Sequence, residues 1–148
     1  MKEEQVNVSL ISVSEVKGAT VLNRSALRKL GCKPVDVDMN VRVIPDLERS
    51  LVSLVVSCTY VGVVNLIRTR LMTCSVICTF EIENLATHIV MNGPELVLAA
   101  PLMTTMLGIS VGSLRGVVAT RTADSPLRYR PLPIIDLKAL LYRLQYGR

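Results

Sequence analysis

Residues 96–114 read LVLAAPLMTTMLGISVGSL, nineteen positions without a charge, bounded by Glu95 and Arg115. A bilayer-crossing helix takes about 17–25 largely apolar residues, so length alone permits a span. Composition argues otherwise. Pro101, Gly108, Gly112, Thr104, Thr105, Ser110 and Ser113 dilute the leucines, and no Trp or Tyr stands at either end, where interfacial aromatics would anchor a span. The alternative is a helix hidden by other protein. It then needs a sheet or a partner to cover it.

The rest of the chain supplies the sheet. In VDVDMNVRV (35–43), Val35, Val37, Met39, Val41 and Val43 share one face, opposite Asp36, Asp38, Asn40 and Arg42. VSLVVSCTY (52–60) and MTCSVICTFEI (72–82) alternate in the same way. In VNVSLISVS (6–14), Val6, Val8 and Leu10 share a face before the phase moves to Ile11 and Val13. Such a slip marks a bulge or bend. A two-residue period is the signature of strands with one buried face. Four antiparallel strands are expected.

Helices are expected between and after them. Asn23 suits an N-cap and Gly31 a C-terminal stop, which brackets a short helix. After Asn84 the period changes. Pro94 and Glu95 suit a helix start running toward Arg121, with Pro101 either kinking that helix or marking its true first turn. The three prolines of SPLRYRPLPIID (125–136) require an extended loop. Asp136 then caps a last helix with Leu137, Leu140, Leu141 and Leu144 on one face. The expectation is a single α+β domain over residues 1–148, with a long helix and a shorter C-terminal helix on one face of the sheet.

Several function classes are excluded by content. MKEEQVNVSL has a mixed-charge start and no apolar signal core. The four cysteines, Cys32, Cys58, Cys74 and Cys78, form no CxxC, and His88 is the sole histidine. Cys74 and Cys78 would stand about 13 Å apart along a strand, too far for one metal or one bridge. Free thiols in a reducing, cytoplasmic compartment are expected, with no metal and no cofactor. No nucleophile elbow, phosphate loop or dinucleotide-binding glycine pattern occurs. Asp36 and Asp38 alternate with apolar residues as a solvated sheet face does. No enzyme is expected.

The order of parts resembles the SecB family of protein-export chaperones. FEIEN (80–84) is similar to the end of that family's last strand. SLRGVV (113–118) and RPLPIIDLKALL (130–141) are similar to its helix with an Arg-Gly step, its Leu-Pro loop and its second helix. The resemblance implies a Greek-key strand order and an ATP-independent holdase for unfolded polypeptide. It places the client groove at Leu132, Pro133, Ile134 and Ile135. Ile134 and Ile135 are adjacent in an extended loop and so point opposite ways: one faces the core, the other a surface groove.

The resemblance also implies dimers and tetramers. Leu102, Met103, Met106, Gly108, Ile109 and Gly112 are the candidate oligomer contacts, since an all-round apolar helix needs cover and glycines four apart admit a second backbone.

Charge departs from the family, which is acidic and docks on the SecA motor. This chain has a net charge of +5. Residues 115–148 carry seven cations against two carboxylates, and the preceding 114 residues balance to zero. The turn GVVNLIR (62–68) has no carboxylate where the family's hairpin is acidic. SecA is therefore not expected as a partner, and a chaperone dedicated to one client, as in toxin–antitoxin systems, is the attractive variant. The basic patch of Arg115, Arg121, Arg128 and Arg130 raises nucleic acid as a rival. Stacking aromatics are too few to favour it. An oligomeric adaptor without client binding is the remaining alternative.

Overall fold

The structure is a computed structural model that describes residues 7–92 and 95–146. Val6, Pro94 and Arg148 lie outside the described residues. Strands β1 (Val8–Glu15), β3 (Val35–Asp46), β4 (Leu51–Val64) and β5 (Ile67–Ile82) form one antiparallel sheet in the order β1-β5-β4-β3. The chain runs β3, β4, β5 as neighbouring hairpins, and the first strand lies beside the last. That is the Greek-key arrangement.

The sheet has five strands rather than four. β2 (Val21–Leu22) pairs with Thr73 and Met72 of β5. The chain leaves β1, turns at Gly18 with φ of +75°, and pairs again with β5, the strand β1 itself pairs with. Val16 N–H donates to the Ser75 carbonyl at 2.9 Å, and the Thr73 hydroxyl donates to the Ala19 carbonyl at 3.1 Å. A strand of two residues has no period to read.

The slip in the first strand is a bulge. Leu10 pairs with Phe80 and Ser12 with Thr79, which leaves Ile11 as the extra residue. The apolar alternation of β4 and β5 faces one side. Val52, Leu54, Val56, Cys58, Tyr60, Cys74, Val76, Cys78, Phe80 and Ile82 are each at most 1% exposed. The opposite face carries hydroxyl pairs across the ladder, Ser53 with Thr79 at 2.8 Å and Ser57 with Ser75 at 2.7 Å.

Helix α1 (Arg24–Leu30) begins as expected. The Asn23 side chain accepts from Ala26 N–H at 3.1 Å, and Gly31 ends the helix at φ of +57°. Leu30 then packs over Gly62 of β4. A Cβ there would stand 3.0 Å from the methyls of Leu30 and Leu71. Glycine is what allows the helix this close.

The opening stretch is not one helix. Glu95–Leu98 is strand β7, paired with β6 (Ile89–Asn92) in a separate two-stranded hairpin. Helix α2 spans Ala100–Arg121 with Pro101 in its first turn. Proline there surrenders an N–H that has no helical partner anyway, whereas a helix begun earlier would meet the ring's clash with the carbonyl four residues back. Leu102, Met103, Met106, Leu107, Val111, Leu114 and Val118 bury one face of α2, which packs on β4 and β5. By length and hydropathy α2 could cross a membrane; in this fold that face covers the sheet. Its polar residues are absorbed locally. Thr104, Thr105, Ser113 and Thr120 each donate to the carbonyl four residues back. Ser110 Oγ, fully buried, has no partner among the described residues.

Helix α3 (Leu137–Tyr146) closes the fold. Asp136 Oδ1 accepts from the N–H groups of Lys138 and Ala139 at 3.1 and 3.2 Å. Leu140 and Leu141 are buried, and Leu137 and Leu144 pack beside them.

Candidate functional site

The segment between α2 and α3 is tied down at several points. After a 3₁₀ turn at Pro126–Tyr129, whose Leu127 is fully buried, the chain is extended as its prolines require. Tyr60, itself completely buried, donates its hydroxyl to the Arg130 carbonyl at 3.0 Å. Arg115 on α2 donates from Nε to the Leu132 carbonyl at 3.1 Å and from Nη2 to the Pro133 carbonyl at 2.9 Å. Leu132 is 2% exposed and plugs the core. The loop is thus held by its backbone and by Leu132, which leaves Pro133 and Ile134 exposed.

Those side chains divide as adjacent residues in an extended chain must. Ile135 is half-buried and packs against the core, while Ile134 is 97% exposed. Pro133 is exposed. Ile134, Ile135 and Asp136 form one wall of a groove of ≈ 260 Å³. Val37, Asp38 and Met39 of β3 form the second wall, and Ala139, Leu140 and Arg143 of α3 the third. β3 ends the sheet order, so its outer edge has no strand partner among the described residues. Arg143 Nη2 reaches the Met39 carbonyl at 3.5 Å. The site therefore combines an apolar floor, a carboxylate on either side and a strand edge.

Sequence reading named the loop but not its facing walls. Val37 and Met39 lie on the greasy face of an alternating strand, which says they want cover without saying that a loop stands over them. The role of Arg115 was not legible at all.

Each of the four arginines of the expected basic patch has a partner within the chain, and of the four Arg121 pairs with a carboxylate. Arg115 holds the loop. Arg130 donates to the carbonyls of Lys33 and Gly31. Arg121 makes a bidentate pair with Glu15, with contacts from 2.7 to 3.1 Å. Arg128 lies 4.6 Å from the Tyr129 ring centroid and donates to its hydroxyl at 2.7 Å. The Arg121 guanidinium, with a hydrogen bond from Thr20, holds the Glu15 carboxyl below the usual carboxylate range. A larger hollow of ≈ 450 Å³ lies beside this pair, lined by Lys17, Thr20 and Arg24 among others. Glu15, Lys17, Arg24 and Arg121 put four charges on its walls.

The candidate oligomer residues separate by face. Leu102, Met103 and Met106 are buried within the chain's own fold. Gly108 is half-buried, and Ile109 and Gly112 are exposed on the outer side of α2. Gly116 continues that row, and added Cβ atoms at Gly112 and Gly116 would meet open space.

All four cysteines are free. Cys58 and Cys74 sit directly opposite each other in the β4–β5 ladder. Burial, then the neighbouring Cys74, pushes the Cys58 thiol up to about 12, and burial does the same for Tyr60.

These features define a Greek-key sheet covered by a long helix, with a Pro-rich loop and a second helix at one edge: the SecB-like fold. The chain is similar to the SecB-like chaperone Rv1957 of Mycobacterium tuberculosis, solved in complex with a ChAD peptide from the Rv1956 HigA1 antitoxin. The TM-score is 0.54 at 14% identity, over 87% of this chain and 91% of that one. A protein of unknown function from Streptococcus agalactiae aligns over 89% of this chain and 98% of its own, at a TM-score of 0.33 and 14% identity. No family model and no curated protein matches the sequence.

Proposed function

We propose that this protein is an ATP-independent holdase that captures unfolded polypeptide in the groove between β3, the 132–136 loop and α3. The observation that carries this reading is Ile134. An isoleucine 97% exposed, on a loop whose backbone is clamped by Arg115, is positioned to meet something apolar. A non-native chain offers both apolar side chains for the floor and unpaired backbone for the β3 edge. The groove's lining holds no aromatic residue, which suits aliphatic client segments. The fold neighbour is a chaperone bound to a peptide, which supports a polypeptide ligand and a role dedicated to one client. No catalytic step and no cofactor is invoked.

The outer face of α2, with Ile109, Gly112 and Gly116, serves self-association in this reading, because close backbone approach requires missing side chains. The Glu15 carboxylate offsets the charge of Arg121, and the scarcity of stacking aromatics weighs against nucleic acid.

The direct test is light scattering of a chemically unfolded client diluted into buffer without nucleotide. Stoichiometric protein is expected to suppress the scattering. Failure across several unrelated clients removes the holdase reading and leaves an adaptor.

A further inference from the structure

β3 is a long edge strand that pairs with β4 from Val35 to Asp46 without a register shift, whereas the opposite edge, β1, is broken by its bulge. The ladder fixes which way its backbone points. Ile82 N–H donates to the Ser50 carbonyl at 2.9 Å, just before β4 begins, so even-numbered residues of β4 bond to β5 and odd-numbered ones to β3. Through the pairs Asp38–Thr59 and Arg42–Val55, the even-numbered residues of β3 face β4 and the odd-numbered ones face outward. Two features agree with that phase. The Met39 carbonyl meets Arg143 of α3 at 3.5 Å, and Pro45, which has no N–H to give, stands in the outward set. The N–H and C=O groups of Val35, Val37, Met39, Val41 and Val43 thus have no backbone partner among the described residues. Such a row is a template for another strand.

The row is complementary to itself. Laid antiparallel on a second β3 about a two-fold axis through Asn40, it sets Val37 opposite Val43, Asp38 opposite Arg42 and Met39 opposite Val41, each pair made twice. Outward-facing residues then meet outward-facing residues, and each of those pairs exchanges two backbone hydrogen bonds. The valines and methionines fall on one face. The Asp38–Arg42 pairs fall on the other, at the cross-strand spacing of about 4.5–5.5 Å between Cβ atoms. Both charged side chains are exposed, and neither makes an ion pair among the described residues, whereas the neighbouring Asp36 is taken by Arg68 at 3.1 Å. Moving the axis to Asp38 or Arg42 opposes like charges, so charge selects the register.

We infer that two copies of this chain join edge to edge through β3, antiparallel about Asn40, so that their sheets become one. The contact is the same patch on both copies and closes at a dimer. It is separate from the outer face of α2. A second copy and a client strand compete for the same edge; that consequence rests on the client-groove reading above, whereas the contact itself does not.

Charge reversal tests the register without touching the core. Sedimentation velocity over a concentration series is run on the full chain as wild type, Asp38→Arg, Arg42→Asp, an equimolar mixture of those two, and the double variant. Each single variant opposes like charges twice across the seam and is expected to dimerise at least about tenfold more weakly than wild type. The mixture and the double variant put opposite charges back, and both are expected to dimerise as wild type does. Single variants that associate like wild type overturn the contact. So does a wild type that stays monomeric, and so does a loss that neither the mixture nor the double variant recovers. Anisotropy of an uncharged, labelled aliphatic peptide reads the competition: the dissociated single variants are expected to bind it several-fold more tightly than wild type. Equal affinity overturns the competition and not the dimer, and a peptide bound by no form removes the client reading alone.

Discussion

Replacing Ile134 and Ile135 one at a time with aspartate separates capture from folding. Ile134 is 97% exposed, so an aspartate there stays hydrated, and the melting transition should move by no more than about 0.5 kcal/mol. A client that covers Ile134 gains what burying an isoleucine side chain is worth, about 1.5–3 kcal/mol. Loss of that gain, at about 1.4 kcal/mol per decade, weakens capture by roughly 10- to 100-fold. Ile135 packs against the core. A carboxylate there is only half-hydrated, and the expected cost is about 2–3 kcal/mol. For a chain of this size that lowers the midpoint by roughly 5–10 °C. Thermal melting measured beside peptide anisotropy resolves the two. A client groove at Ile134 requires one variant that melts normally and no longer binds, and another that melts early. If both variants melt like wild type and both bind, the loop is not the site.

Arg115→Met removes both donors to the Leu132 and Pro133 carbonyls; stability should fall by about 1 kcal/mol, while amide exchange across 132–136 quickens and client affinity drops. Cys58 and Tyr60 have folded pKa values near 12, so their stabilising effect is complete below the unfolded values and is lost as pH rises toward the folded ones. The midpoint should therefore fall between about pH 9 and 11, and Cys58→Val should flatten that fall. Glu15 behaves oppositely, because its folded pKa is lowered first by Arg121 and then by Thr20. Its contribution is present above the ordinary glutamate range and lost on acidification below it, and Glu15→Gln should remove that part of the acid limb. Gly62→Ala forces the methyls of Leu30 and Leu71 to yield, with an expected cost of about 1 kcal/mol in chemical denaturation.

Local signals in the sequence carried the elements whose causes are local. Alternation gave away β3, β4 and β5, and the slip at Ile11 gave away the bulge, because a strand's two faces are imposed residue by residue. Asn23, Gly31 and Asp136 marked helix ends because capping is a bond to backbone two or three positions away. Other features depend on partners far along the chain and had no such signature. Residues 95–98 are strand rather than helix because Ile89–Asn92 lies beside them. β2 exists only through its pairing to β5, 50 residues later. The register shift opposite Tyr60 and Val61 buries both Leu71 and Met72 and breaks the alternation of β5, so the turn at 62–68 was legible but the strand between it and Met72 was not. Charge counting saw four arginines as a patch, since composition cannot say that Glu15 or the carbonyls of Leu132 and Pro133 stand opposite them. The candidate site divides in the same way. Its loop was legible from prolines and isoleucines, but its walls come from β3 and α3, about 100 positions apart, and only the packed chain brings an uncovered strand edge up to that loop.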